Sequence, residues 1–467
     1  MTAPNAGTAP QADEADRDTV AAPTVLLDPR TGEARGARRP GRAAEVAAAV
    51  AGARAAQRSW AALTPRERHR RLAALADLVE RHAAEYLAAE CAGTGKPAAE
   101  AAGEIAEVAD LFRFYGGAVR AGTSPAAGDY LAGHQSWVRW EPVGTVAAVV
   151  PWNYPLLMAG WRCAPALAAG NAVVLKPAET TPDSALLLAA HAEQALGAGV
   201  LTALPGDRET GRLLVGAGCD LVAFTGSPAG GADVAARAGL TPVSLELGGN
   251  SPVLVLPDAP ADTWEQLAAA CTYNAGQSCA APARVIVVAD REEAYRAAVA
   301  ALAAAMALRW SGRDFGPLNN PDQAARYDRI VAASGAGSVH TAPGRGDGLW
   351  RPATVLADLP DDDPAVREEV FGPLLTVQRA ADPDAAVALA ESVPQALAAS
   401  VWTTDLATGL ALTDRISAGE VWLNCHLAQS AELPHSGRRG SGAGTDLSAL
   451  ALRDYQRPKT VTARLVR

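Results

Sequence analysis

Two side chains in this chain sit where their types could do chemistry. Cys279 closes the small-residue loop Gly276-Gln277-Ser278-Cys279. A thiol there is a candidate nucleophile if its surroundings favour the thiolate, although a single cysteine on its own is more often a small buried hydrophobe. Glu246 lies inside the apolar run Leu245-Glu246-Leu247, which solvates a carboxylate poorly and raises its affinity for a proton toward the range a general base needs. A third feature is the turn Thr225-Gly226-Ser227-Pro228-Ala229-Gly230-Gly231. Its small residues and open backbone N–H groups begin a helix directly after a strand, which suits a pyrophosphate. Gly93-Thr94-Gly95-Lys96-Pro97-Ala98 has the spacing of a dinucleotide fingerprint, but it follows a helix instead of a strand, so the phosphate-cradling geometry is missing.

These residues need regular elements to position them, and the sequence pattern supplies such elements. Residues 41–119 read as helical, with Thr64-Pro65-Arg66-Glu67 a start signal that combines an N-cap threonine, a first-turn proline and a capping-box glutamate. Short apolar runs at 144–150, 172–176, 200–204, 221–225 and 243–247 alternate with helices. A second series follows at 252–256, 284–288, 374–378, 400–403 and 421–424, with helices at 292–308 and 407–416 among them. Such alternation implies α/β lobes built on parallel sheets, here two lobes meeting near Gly248. Residues 129–142 and 454–467 alternate in strand fashion and fit neither lobe; they are expected to pair with each other or with another subunit.

Composition narrows the class. With 467 residues the chain can bury two cores, and 51 acidic against 41 basic residues leave a net charge of −10, which argues against a nucleic-acid partner. The six cysteines show no CxxC spacing and read as reduced thiols of a cytoplasmic protein, with Cys271 a packing residue; the histidines show no metal-ligand spacing, so no metal site is expected. No apolar run is long enough to span a membrane. The Ala- and Pro-rich residues 1–23 are expected to form a disordered tail and lack the features of a signal peptide.

Five segments, taken together, resemble the aldehyde dehydrogenase superfamily in order and separation. They are Pro151-Trp152-Asn153-Tyr154-Pro155, Val174-Leu175-Lys176-Pro177-Ala178-Glu179, Leu245 to Asn250, Gly276 to Cys279, and Glu368-Glu369-Val370-Phe371-Gly372-Pro373. The resemblance implies an aldehyde dehydrogenase fold: a Rossmann-like NAD-binding domain (24–125 and 143–247), an α/β catalytic domain (248–445) and a small β oligomerisation flap (126–142 and 454–467), assembled as a homodimer or homotetramer. It implies Cys279 as nucleophile through a thioester, Asn153 and the Cys279 backbone N–H as oxyanion donors, and Glu246 as the base that activates the hydrolytic water. Retention of Glu246 argues against transfer of the acyl group to coenzyme A. For the cofactor it implies Trp152, Lys176, Glu179, Gly226, Ser227, Glu369 and Phe371. A carboxylate at 179 favours NAD, with NADP left open.

For the substrate, a small-molecule aldehyde, the segments around Phe112, Tyr273, Trp422 and Glu432-Leu433-Pro434-His435 resemble the aminoaldehyde branch, nearest to 4-aminobutyraldehyde dehydrogenases of polyamine catabolism. Glu104 and Glu107, three apart on one helix face, are expected at the tunnel entrance, and Trp161, Trp422 and Leu427 as tunnel walls. Betaine aldehyde, a semialdehyde or a pathway-specific aldehyde are the alternatives, and a silent homologue is another. The strand that precedes the family's Asn-Pro-x-Thr-Gly turn, here Asp28-Pro29-Arg30-Thr31-Gly32, is expected to be reduced or absent.

Overall fold

The computed structural model describes residues 22–465. Residues 1–21 of the expected tail, and the last two of the expected C-terminal pairing segment, lie outside the described residues.

Six short strands form the first sheet, in the order Gly442–Ala443, Val243–Leu247, Leu221–Gly226, Thr145–Val149, Ala172–Lys176 and Leu201–Ala203. All neighbours are parallel except Gly442–Ala443, which returns from late in the chain to pair antiparallel with Val243–Leu247. From Thr145–Val149 the chain winds outward through helices Pro155–Ala169 and Asp183–Leu196. It then crosses back and winds the other way through Pro228–Ala238. The strand order therefore reverses between Thr145–Val149 and Leu221–Gly226. In an open parallel sheet, that reversal leaves a crevice at the carboxyl ends of the strands where a ligand can sit.

The second sheet has seven strands: Ser338–Thr341, Thr354–Ala357, Leu374–Ala380, Pro282–Val288, Ser251–Val255, Ala398–Trp402 and Glu420–Leu423. Five of these carry the apolar runs expected from the sequence. The first pair was not anticipated: Ser338–Thr341 is a largely exposed antiparallel edge strand without an apolar run to mark it. Buried Val, Ile and Leu side chains on both faces of each sheet form separate cores against the covering helices.

The two odd alternating segments pair with each other. Gln456–Arg464 lies antiparallel along His134–Pro142, with Val461 opposite Trp137, and Ala127–Leu131 completes a three-stranded sheet. The expected capping box forms: the Glu67 N–H donates to Thr64 Oγ1 and the Thr64 N–H to the Glu67 carboxylate at 2.8 Å.

The first strand, expected to be reduced or absent, is present as four residues. Thr24–Leu27 pairs with Ala34–Arg38 through the Asp28–Gly32 turn, and Leu26 is buried. Three apolar residues, Val25-Leu26-Leu27, suffice for the strand, and the adjoining Ala- and Pro-rich sequence hid them.

Candidate active site

Helix Thr263–Thr272 runs into the turn Tyr273–Gly276, in which Asn274, Ala275 and Gly276 have φ of 48°, 54° and 72°. Left-handed backbone at two non-glycine residues is strained, so the surroundings must hold it. Gly276 has no alternative, because a β-carbon there would meet the Gly372 carbonyl oxygen at 2.2 Å. Buried Gln277 is the brace. Its amide donates to the carbonyls of Asn274 (3.0 Å) and Pro317 (3.3 Å), and its Oε1 accepts from the Asn319 N–H (2.8 Å). Cys279 follows, at the bottom of a cavity.

Two side chains converge on that thiol. Strand Val243–Leu247 delivers Glu246, which is 3% exposed. Ligand atoms of Glu246, Cys279 and His435 lie within 4.8 Å of one another. His435 Nε2 is 3.2 Å from Glu246 Oε1 and 4.0 Å from Cys279 Sγ, while Nδ1 is 2.8 Å from Glu420 Oε2. Burial pushes the Cys279 thiol up from its ordinary value, and His435 pulls it back. Burial works against a charge on His435, but the Glu246 carboxylate and the bonds to Cys279, Glu246 and Glu420 together hold its pKa well above the usual histidine range.

Sequence reasoning gave His435 no role. It stands 156 positions from Cys279, on irregular chain, so no periodicity links the two.

Asn153, also buried, donates from Nδ2 to the Gln277 carbonyl at 2.9 Å. Its own carbonyl accepts from Lys96 Nζ at 3.1 Å and from Asn274 Nδ2 at 2.9 Å. The decoy fingerprint thus has a structural task. Gly95 ends helix Ala83–Thr94 in the left-handed conformation, and Lys96 turns inward to the site.

A cleft of about 830 Å³ opens at the strand-order reversal, and Trp152, Lys176, Glu179, Gly226, Ser227, Glu369 and Phe371 all line it. At one end Lys176 Nζ lies 3.4 Å from Glu179 Oε2, and burial lowers the Lys176 pKa against the pull of Glu179. In the middle, Ser227 caps helix Pro228–Ala238. At the other end Glu369 accepts the Gly249 N–H at 3.0 Å, and burial pushes its pKa up to about 8. Trp152 and Phe371 meet edge to face at 5.5 Å. A carboxylate for ribose hydroxyls at each end, with a helix N-terminus between them, is a donor set that fits a dinucleotide.

A second cavity, about 520 Å³, reaches Cys279 from the other side, and Glu104, Glu107, Trp161 and Leu427 line it. Two substrate expectations are corrected. Trp422 is not a wall. It is buried against Ala280 and Ala398, and its indole N–H donates to the Ala428 carbonyl at 2.9 Å, so it supports the floor from beneath. Nor is Glu104 an open entrance carboxylate. It is 2% exposed and takes Lys96 Nζ at 2.7 Å on both oxygens. Burial raises its pKa to about 8 while Lys96 pulls the other way. Helical spacing showed that it faced Glu107, but not that Lys96 would fold back onto it.

Residues 17–461 match the model of the aldehyde dehydrogenase family. The chain belongs to the aldehyde dehydrogenase family. It is 35% identical to human retinal dehydrogenase 2 over 427 residues, covering 87% of this chain and 81% of that one. Among solved structures it is similar to gamma-glutamyl-gamma-aminobutyraldehyde dehydrogenase of Burkholderia cenocepacia, at 35% identity and a TM-score of 0.90, covering 95% of this chain and 94% of that one. It is also similar to betaine aldehyde dehydrogenase of Staphylococcus aureus in complex with NAD+, at 26% identity and a TM-score of 0.90, covering 95% and 92%.

This aldehyde dehydrogenase is accordingly an NAD(P)-dependent oxidoreductase that converts aldehydes to acids. The three relatives carry different substrate names, so the aldehyde itself must be argued from the cavity. Among the described residues no helix is long and apolar enough to cross a membrane.

Proposed function

We propose that this aldehyde dehydrogenase oxidises an ω-aminoaldehyde such as 4-aminobutanal, in polyamine breakdown in the cytoplasm. The observation that carries the substrate class is the lining of the 520 Å³ cavity: the carboxylate of Glu107 with the aromatic rings of Trp161 and Tyr273, and no lysine or arginine, while Glu104 and the Tyr154 ring face are taken up by Lys96 behind the wall. Carboxylates and ring faces both attract an ammonium group. Lys96 offsets the charge of Glu104, so Glu107 is the principal acidic contact. Betaine aldehyde, also cationic, is the second reading, and the fold similarity to a betaine aldehyde dehydrogenase favours it. A semialdehyde would want a cation that the described lining lacks.

In the proposed reaction the Cys279 thiolate attacks the aldehyde carbon, a C–S bond forms, and the carbonyl electron pair moves to oxygen. The Asn153 side-chain amide and the Cys279 backbone N–H stabilise that oxyanion. Bound NAD(P) supplies the acceptor for the hydride released by the adduct. Glu246 then removes a proton from water, the water oxygen attacks the resulting thioester on Cys279, the C–S bond breaks, and the acid leaves.

Lys176 and Glu179 would hold the adenosine ribose, Gly226 and Ser227 the pyrophosphate, and Glu369 the second ribose, with Phe371 and Trp152 beside the ring. The Glu179 carboxylate would repel a 2′-phosphate, which favours NAD over NADP.

The test is NADH formation with 4-aminobutanal, 3-aminopropanal, betaine aldehyde, succinate semialdehyde and hexanal, with Cys279→Ala alongside. Preference for the aminoaldehydes, lost in Cys279→Ala, is expected. A preference for hexanal or the semialdehyde would overturn the substrate reading.

We infer as well a homodimer or homotetramer built on the outer edge of Gln456–Arg464, a nine-residue strand paired on one side within the chain. A monomer by light scattering would contradict this.

A further inference from the structure

The cluster around the thiol holds one group the proposed reaction leaves idle. His435 is fully buried, and each ring nitrogen faces a carboxylate: Nδ1 faces Glu420 at 2.8 Å, and Nε2 faces Glu246 at 3.2 Å with the Cys279 sulfur at 4.0 Å. A neutral imidazole has one N–H and would turn a lone pair toward one of those carboxylates, whereas an imidazolium donates to both. The Gln429 amide nitrogen lies 3.1 Å from Nδ1 and 3.2 Å from the same Glu420 oxygen; with Nδ1 protonated, that oxygen accepts from both nitrogens. The ring is clamped. The backbones of His435 and Asp446 exchange two hydrogen bonds, at 2.8 and 2.7 Å, and Trp161 packs edge-on at 5.2 Å.

We propose that His435, kept as an imidazolium by Glu420, is a positioning residue that fixes the Glu246 carboxylate beside Cys279 and favours the Cys279 thiolate. The proposal rests on the reading of Cys279 as nucleophile and Glu246 as base.

The Cys279 S–H bond breaks and an O–H bond forms on Glu246, so negative charge moves from oxygen to sulfur; Glu246 releases that proton to solvent before it serves as base on the hydrolytic water. His435 keeps both its protons, and its Nε2–H, first directed at Glu246, serves the thiolate. Both ends of that shift lie within 4.0 Å of the same cation, so the charge never leaves its counter-ion. In a buried site this matters, because an unpaired charge there is costly.

The charged groups facing His435 come from several elements. Glu246 stands on Val243–Leu247, Glu420 on Glu420–Leu423, and Asp446 on the irregular segment bridged to His435. Asp446 is neutralised in turn by Arg162, at 3.1 Å, from helix Pro155–Ala169. Glu420 is thus the acceptor assigned to Nδ1, and its removal should weaken the imidazolium without moving the ring.

The experiment is the pH dependence of Cys279 alkylation by iodoacetamide, read by mass spectrometry on the full chain, in the wild type, His435→Gln and Glu420→Gln. In His435→Gln the midpoint should rise by about one pH unit, a roughly tenfold slower alkylation at pH 7. Glu420→Gln, which leaves the imidazole in place, should shift it in the same direction by less. An unchanged midpoint in folded His435→Gln overturns the proposal. If that variant does not fold, an unchanged midpoint in Glu420→Gln does so. A Cys279→Ala arm separates the two levels: aldehyde oxidation surviving in Cys279→Ala would remove the nucleophile reading itself, whereas its loss beside unmoved midpoints would remove only the role of His435.

Discussion

Gly249 lies so close to Cys279 that a β-carbon on it would meet the Cys279 carbonyl oxygen at 2.2 Å. The base-bearing strand and the nucleophile loop therefore touch backbone to backbone just past Glu246. On the other side, a β-carbon on Gly248 would meet Glu369 Oε2 at 2.1 Å. The two glycines bring the base, the thiol and a cofactor-cleft carboxylate together.

Gly249→Ala must push the Cys279 loop away, because a backbone carbonyl cannot swing aside as a flexible side chain can. A misplacement of about 1 Å at a reacting atom can cost on the order of 100-fold in rate. Turnover should fall by about that factor in a protein that still binds NAD, as read by steady-state kinetics beside cofactor titration.

Lys96 and Glu104 form a buried pair at 2.7 Å. Lys96→Met leaves Glu104 buried without its cation, and breaking such a pair from one side costs about 3–5 kcal/mol. Lys96→Met with Glu104→Leu should recover most of that loss in denaturant unfolding. The single variant should also lose activity, because Lys96 holds the Asn153 carbonyl at 3.1 Å.

Burial raises the Glu369 pKa to about 8 from an ordinary 4.5. A carboxyl whose folded value is raised contributes stability at low pH that is lost as pH rises toward the folded value. Between pH 4.5 and 8 the unfolded chain holds fewer protons at this site than the folded one, so stability falls with pH by up to about 1.4 kcal/mol per unit. Glu369→Gln cannot ionise. Its melting temperature without cofactor, relative to the wild type, should rise from pH 6 to pH 8 and level off above that.

The parallel strands were legible because each buried strand is a short, nearly continuous apolar run. The strands that escaped are the exposed edge strand Ser338–Thr341, which has no apolar run, and two whose runs are brief, Thr24–Leu27 and the buried Thr354–Ala357. Cys279, Glu246 and Asn153 were named from motif resemblance, and the structure brings Cys279 and Glu246 together and holds Asn153 against the same loop. Contacts that no helical or strand spacing implies were not legible, whether the partners are near in sequence or far apart. Lys96 reaching Glu104 was hidden in a false fingerprint, His435 reaching Cys279 lay on irregular chain, and Trp422 packed beneath a floor instead of lining it.

The central claim is that aldehyde oxidation passes through a thioester on Cys279 that Glu246 is needed to hydrolyse. Glu246→Gln mixed with 4-aminobutanal and NAD should give one NADH per active site and then stall. Intact mass should show the acyl group, and peptide mapping should place it on Cys279. Turnover of Glu246→Gln at the wild-type rate, or a single-turnover burst with no adduct on Cys279, would contradict the account.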